Sequence, residues 1–409
     1  MNALVRAALL LAAPPSLAAA QVTPPAQWAA RSAPSNDAVV VVDPSGAGDF
    51  LEVATAVSAA APRTLVLVRS GTYAAPVTVR DRGLTLQADA DATVVLTAPL
   101  LVEDVGAGHG VVVSGIELSA GFAVEDCAGT VRFDGCTTPP SGALAPPPPG
   151  SQYWEWPSCG FGLSGQSVRD SGAVAFVGCA LHGADGAFVG VDGAPGQHGL
   201  QIERSTVALY HTVLRGGDGA PATASGHYPV ASGAGGDGLR VRDASSVVRH
   251  CGLDAVGGSG GTFAPGPNGS FGVMFGCDGV PVRADAGSDV GGCVVDDLAF
   301  DVDPIVRDDV LPWYRIEAPA QSPVFLMLSP RSDWRTFAPA SGVLHLHSSA
   351  TVVPLGAMPS SGALFRPLPV TSPTSVLGHV RVEVQVYARV QGVDRYSEPR
   401  TVVVVDRAL

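Results

Sequence analysis

Apolar positions along this chain fall in short alternating runs, the period of strands, separated by Gly, Pro, Ser and Asp. The first run, Val39-Val40-Val41-Val42, reads as a buried strand, and Asp43 to Asp49 as a turn cluster. A short helix is predicted from Phe50 to about Ala61, with Phe50, Ala54, Val57 and Ala61 on one face. Asp49 and Glu52 resemble a capping box, and Pro62 stops the helix. Thr64 to Val68 is the next strand, and Gly71-Thr72-Tyr73 the next turn.

Beyond these elements the chain repeats itself. A template of four inward positions, at spacings of two, three and two, fits Val111, Val113, Ile116 and Leu118, then Val131, Phe133, Cys136 and Thr138. It fits Val174, Phe176, Cys179 and Leu181, then Val207, Leu209, Thr212 and Leu214. Ser246, Val248, Cys251 and Leu253 continue it, and Ser288, Val290, Cys293 and Val295 close it. Each pair alternates as a strand does, and the three-residue step is a bend that keeps both strands facing inward. Leu200 with Ile202, and Leu239 with Val241, add further strands. Pro139 to Gly150, Gly216 to Gly236 and Gly257 to Gly269 read as loop insertions, which a solenoid tolerates because each coil touches only its neighbours. A sandwich or propeller is the competing architecture.

The order strand, Gly-rich turn, helix, strand and G-x-Y turn over Val39 to Tyr73 resembles the entry to pectin-lyase-like β-helices, where a helix covers the open end of the coils. The resemblance implies an all-β, right-handed parallel β-helix with an N-terminal capping helix. Such folds host pectinases, other lyases, glycosidases and inert adhesins, so the fold selects no activity. The family's enzyme motifs are absent: Gly71-Thr72-Tyr73 is followed by Ala74 rather than Glu, and Gly108-His109-Gly110 lacks the preceding acidic elements, Asp296-Asp297 arriving in the wrong order. After about Phe300 the pattern changes. Residues 301–323 read as a connector and 324–409 as a small antiparallel, sandwich-like β-domain, with runs at Val324 to Leu328, Val343 to His347, Val380 to Tyr387 and Val402 to Val405. It resembles the small C-terminal β-domain of many exported bacterial repeat proteins. The parallel β-helix is thus expected over 38–300.

The N-terminal region changes the picture of where the chain resides. Arg6, the apolar run Ala7 to Ala13 and Ala18-Ala19-Ala20 predict a signal peptide over 1–20, and the Pro/Ala/Ser-rich 21–37 a linker. A secreted or cell-surface protein is expected, with no transmembrane segment in the mature chain. Composition agrees with short strands and tight turns: 409 residues hold 50 Gly and 34 Pro, with 46% apolar and 15% charged. All 24 basic residues are Arg, which excludes Schiff-base chemistry and a P-loop. A net charge of −13 with no basic run argues against nucleic acid and anionic membranes as partners.

Three groups of residues could carry chemistry. Asp185 and Asp218 share a register just after Leu181 and Leu214, so stacked coils would bring their carboxylates about 5 Å apart. Such a pair can bind calcium, share a proton or serve a retaining glycosidase. The competing reading is that both sit in Gly-rich turns, where Asp bonds the backbone. His182, Arg215 and Asp254 share the next outward register as a polar ladder. Tyr153, Trp154 and Trp156 offer flat apolar faces to sugar rings, or else pin their own loop.

Of seven Cys, Cys136, Cys179, Cys251 and Cys293 fall at one inward register and are expected buried and mostly unpaired, while Cys127, Cys159 and Cys277 lie outside it. No C-x-x-C is present, and no metal site or cofactor is called for beyond calcium at the Asp pair. The leading expectation is a non-catalytic module binding extracellular polysaccharide or a surface protein. The alternative is a polysaccharide lyase or glycoside hydrolase acting through Asp185 and Asp218.

Overall fold

The computed structural model describes residues 38–139, 165–189, 192–223, 230–261, 263–264, 273–274 and 279–292, then 298–302, 305–307, 313–329, 332–336, 343–346, 350–368 and 379–405. The first set is built almost wholly of parallel strands. One sheet has nine, in sequence order from Val39–Val42 through Leu65–Val68, Leu84–Ala88, Gly110–Ser114, Thr130–Asp134, Ala173–Val177, Thr206–Tyr210 and Val247–Cys251 to Asp289–Gly292. A second has seven, from Val77–Arg80 through Leu100–Glu103, Phe122–Glu125, Ser167–Arg169, Leu200–Glu203 and Leu239–Arg242 to Val282–Ala284. A third, narrow face joins Gly71–Tyr73, Val94–Leu96 and Ile116–Leu118 to Ala180–His182, Val213–Arg215 and Asp254–Val256, with Thr137 bridging the two groups. The chain visits the three faces in rotation, an arrangement consistent with a parallel β-solenoid. Alternate residues of every face point to a common core.

The inward template holds across four coils. Val111 pairs with Val131, Val174 and Val207 in turn, and Val113 with Phe133, Phe176 and Leu209. Phe133 and Phe176 consequently stack with centroids 5.0 Å apart, and Phe122 leans on Phe133 at 4.6 Å. Leu200 pairs with Leu239, and Ile202 with Val241, as the added strands require.

The fifth coil departs from the predicted register. Val248 pairs with Val207 rather than Leu209, and Cys251 with Tyr210 rather than Thr212. Gly115, Gly135, Gly178, His211 and Gly252 all turn the corner between the nine-stranded and narrow faces with left-handed φ of 45 to 68°. Cys136 and Cys179 follow that corner, but Cys251 precedes its Gly. Cys251 therefore clusters with Val177, Ala208 and Tyr210, on the alternate positions that face away from the core. It is disulfide-bonded, so the expected stack of free thiols is correct for Cys136 and Cys179 and wrong for Cys251. Cys293 lies outside the described residues.

The helix forms, but only as Val53–Ala59, with Val53, Ala56 and Val57 buried in the solenoid core. The expected capping box is absent. Glu52 is the N-cap without a side-chain bond, and Asp49 Oδ2 instead accepts the Val41 N–H at 2.8 Å.

From Leu298 a second core gathers Phe300, Val302, Tyr314, Ile316, Val324, Leu326, Val384, Val386 and Val402. Its sheets are mostly antiparallel. Pro323–Ser329 pairs with Thr351–Ala357 and His379–Val390, and the latter with Arg400–Val405. Trp313–Glu317 lies between Ala299–Val302 and Ala363–Pro367. This unit docks on the outer side of the nine-stranded sheet. Val403 packs on Leu65, Glu383 bonds Arg132 at 2.7 Å, Arg400 lies beside Gly178, and Glu398 faces His211 at 3.8 Å.

Candidate functional site

Asp185 and Asp218 lie where the chain leaves the narrow face, on stretches whose composition reads as loop. Those stretches are ordered by a three-residue period. Gln197 N–H donates to Ala184 O, Gly217 to Gln197, Gly236 to Gly217, Gly258 to Gly236 and Gly279 to Gly258, each at 2.8 Å. Three residues further out the pattern recurs: Ala194 donates to Ala187, Ala220 to Ala194, Gly233 to Ala220 and Gly261 to Gly233, at 2.7–3.0 Å. Each outgoing leg is thus sewn to the returning legs on either side. The residues just before these bond along the stack, Gly183 to Arg215 O and Gly186 to Asp218 O, then Gly216 to Val256 O and Gly219 to Ser259 O. Three residues per turn is the geometry of a polyproline II helix, and packing such helices side by side demands glycine at the contacts. A Cβ on Gly217 would lie 2.0 Å from Ala184 O, and one on Gly236 1.9 Å from Gln197 O.

At the third residue of the turn the N–H bonds a side chain of the preceding coil rather than a main-chain oxygen, at exposed positions on the outgoing legs and part-buried ones on the returning legs. Asp185 and Asp218 occupy that position. Asp185 Oδ1 accepts the Asp218 N–H at 2.8 Å, and Asp218 Oδ1 accepts the Ser259 N–H at 2.7 Å. The returning legs carry the same device: His198 Nδ1 accepts the Asp237 N–H at 2.9 Å, and Asp237 Oδ1 the Val280 N–H at 3.0 Å. Burial holds the His198 imidazole below its usual pKa, with the Asp237 carboxylate opposing the shift. Asp237 is itself buried and bonds Arg283 at 3.0 Å. The sequence brought Asp185 and Asp218 together correctly. Their shared surroundings are those of backbone caps.

The polar ladder is real in part. His182 pairs with Arg215 across the narrow face, but Asp254 pairs with Val213, and Val256 takes the position opposite Arg215. The cause is the same register shift of the fifth coil. Arg215 still reaches Asp254 at 2.7 Å, because a long side chain spans two residues of strand. Gly108-His109-Gly110 forms a turn leading into a strand, with the His109 N–H bonded to Gly106 O. Among the described residues no group of three or more His, Cys, Asp or Glu side chains could hold a metal ion.

Tyr153, Trp154 and Trp156 lie outside the described residues, as does Asp296-Asp297. A different aromatic pair stands exposed. On Trp313–Glu317 burial alternates strictly, leaving Trp313, Arg315 and Glu317 outward. Trp313 stacks on Phe365 with centroids 4.9 Å apart and planes 12° apart. Sequence reading placed Trp313 in a connector. The signal available was the alternation of Trp313-Tyr314-Arg315-Ile316-Glu317, with tryptophan on the polar phase.

No protein-family model matches the chain, and no curated protein matches it. Among the described residues no helix is long and apolar enough to cross a membrane.

Proposed function

We propose that this protein is an exported parallel β-helix of the pectin-lyase-like type that binds an extracellular polysaccharide or surface protein without turning it over. The leader-like residues 1–20 support export, and the helix Val53–Ala59 supports a capped N-terminal end. Right-handed winding is the hand that nearly all parallel crossovers take. The observation that carries the reading is the occupation of Asp185 and Asp218. Each holds a main-chain N–H of the next coil, within a lattice that repeats the same bond on its other side through His198 and Asp237. A nucleophile or general acid must be free to change its bonding during turnover.

The test is a turnover screen of the mature chain on pectin, alginate and neutral polysaccharides. Binding without product is expected. Product formation that disappears in Asp218→Asn, with the fold intact, would install the lyase or glycosidase reading instead.

A further inference from the structure

The sheet formed by Ala299–Val302, Trp313–Glu317 and Ala363–Pro367 has one face in the second core, through Phe300, Tyr314 and Ile316. Its other face is open. Trp313 is 43% exposed and Phe365 65% exposed, values unusual for large apolar side chains on a face with polar neighbours. Register sets Pro367 opposite Trp313, and Phe365 opposite Arg315, which in turn pairs with Asp301 on the far strand. Arg315 is ion-paired to Glu317. One half of the face is therefore apolar, and the other half carries a guanidinium and two carboxylates.

We propose that this face binds a neutral polysaccharide, the outer face of the stacked Trp313–Phe365 pair supplying the surface for the apolar face of a pyranose. Arg315, Glu317 and Asp301 supply donors and acceptors for its hydroxyls. The inference rests on the polysaccharide-binding reading above and adds the site and the ligand class. A protein partner fits less well, because the centres of protein interfaces are depleted of Asp and Glu, whereas here Glu317 lies on the central strand and Asp301 on the strand beside it. A uronic-acid polymer fits less well, because it would meet two carboxylates and a guanidinium already neutralised by one of them.

Affinity electrophoresis of the full mature chain tests this, in native gels containing hydroxyethylcellulose, xylan or galactomannan, with polygalacturonate and alginate gels alongside. Retardation in at least one neutral gel is expected, weakened about tenfold in Trp313→Ala and in Phe365→Ala and largely retained in Trp313→Phe. Near-ultraviolet circular dichroism checks that the variants fold. Retardation by a neutral glycan that the double alanine variant leaves unchanged overturns this site and spares the binding reading. Retardation only in the polyanion gels overturns the ligand class. Migration unaffected by every glycan, with dimers that Trp313→Ala dissolves in light scattering, assigns the face to a second copy and overturns both.

Discussion

Asp218 Oδ1 holds the Ser259 N–H, so the two obvious substitutions should part company. Asparagine keeps an oxygen at that place, and Asp218→Asn is expected to unfold at nearly the native temperature. Asp218→Ala removes the acceptor and should cost about 1 kcal/mol in denaturant unfolding. A catalytic carboxylate would show the reverse ranking of consequences, with asparagine as damaging to activity as alanine. Glycine separates in the same way. Gly236→Ala would drive a methyl group into Gln197 O and should cost about 3 kcal/mol or more. Gly135→Ala has open space and strains only its left-handed backbone, at about 1 kcal/mol. Equal losses at both sites would contradict the close-packed legs. The shared register of Asp185 and Asp218 was legible in the sequence because Leu181 and Leu214 precede them at equal distance. Their role was legible in outline, as Asp bonding the backbone of a Gly-rich stretch, but the order of that stretch was not, because a three-residue period in Gly, Ala and Ser has no hydrophobic signal to mark it.

At the scale of elements, the caps of the returning legs are part-buried, and His198 makes one of them sensitive to acid. His198 accepts through Nδ1, so protonation there removes the acceptor as well as adding buried charge. Its folded pKa lies below the unfolded value of about 6.5, so the unfolded chain takes the proton first. Stability from this cap is complete above that value and declines as pH falls below it. His198→Asn, which restores an acceptor that cannot titrate, should flatten the decline below about pH 6.5 in thermal melts. An unchanged slope would place the acid sensitivity elsewhere, with His182 and His250, also held low by burial, the next to substitute. Strand registers were legible for four coils because alternation and size agree there. The fifth slipped because cysteine served as the marker. The corner residue is the better guide, since its left-handed φ restricts the residue type while the position after it accepts Ile116, Cys136, Cys179 and Thr212 alike. Strands such as Val77–Arg80 and Phe122–Glu125 went unread, although they carry the same two inward residues as Leu200–Glu203 and Leu239–Arg242.

At the scale of the molecule, the two cores are joined by a buried charge cluster. Arg132 lies between Asp134 at 2.9 Å and Glu383 at 2.7 Å, with all three side chains nearly inaccessible. Glu383→Ala would leave that guanidinium half-compensated and should destabilise the protein by about 3 kcal/mol. Because the cluster spans both units, calorimetry should show the C-terminal unit losing its own transition first. A variant that melts as the native protein does would mean the docking rests on the other contacts, at Leu65, Gly178 and His211. None of this docking was legible beforehand, since it depends on residues 251 positions apart.

The contacts of the C-terminal unit also fix a length. Successive points along its final strand, the residues leading into it and the strand beside it meet Leu65, Arg132, Gly178 and His211, which belong to four different coils. The strand thereby works as a ruler laid across the stack. Duplicating or deleting a coil between Leu65 and His211 would move every later mark by one strand spacing, about 4.8 Å, and misalign the docking residues. These four marks all lie at or before His211, and the coils after it carry none of the four. Gain and loss of coils in descendants of this sequence should therefore concentrate toward that end, leaving the measured stretch at constant count.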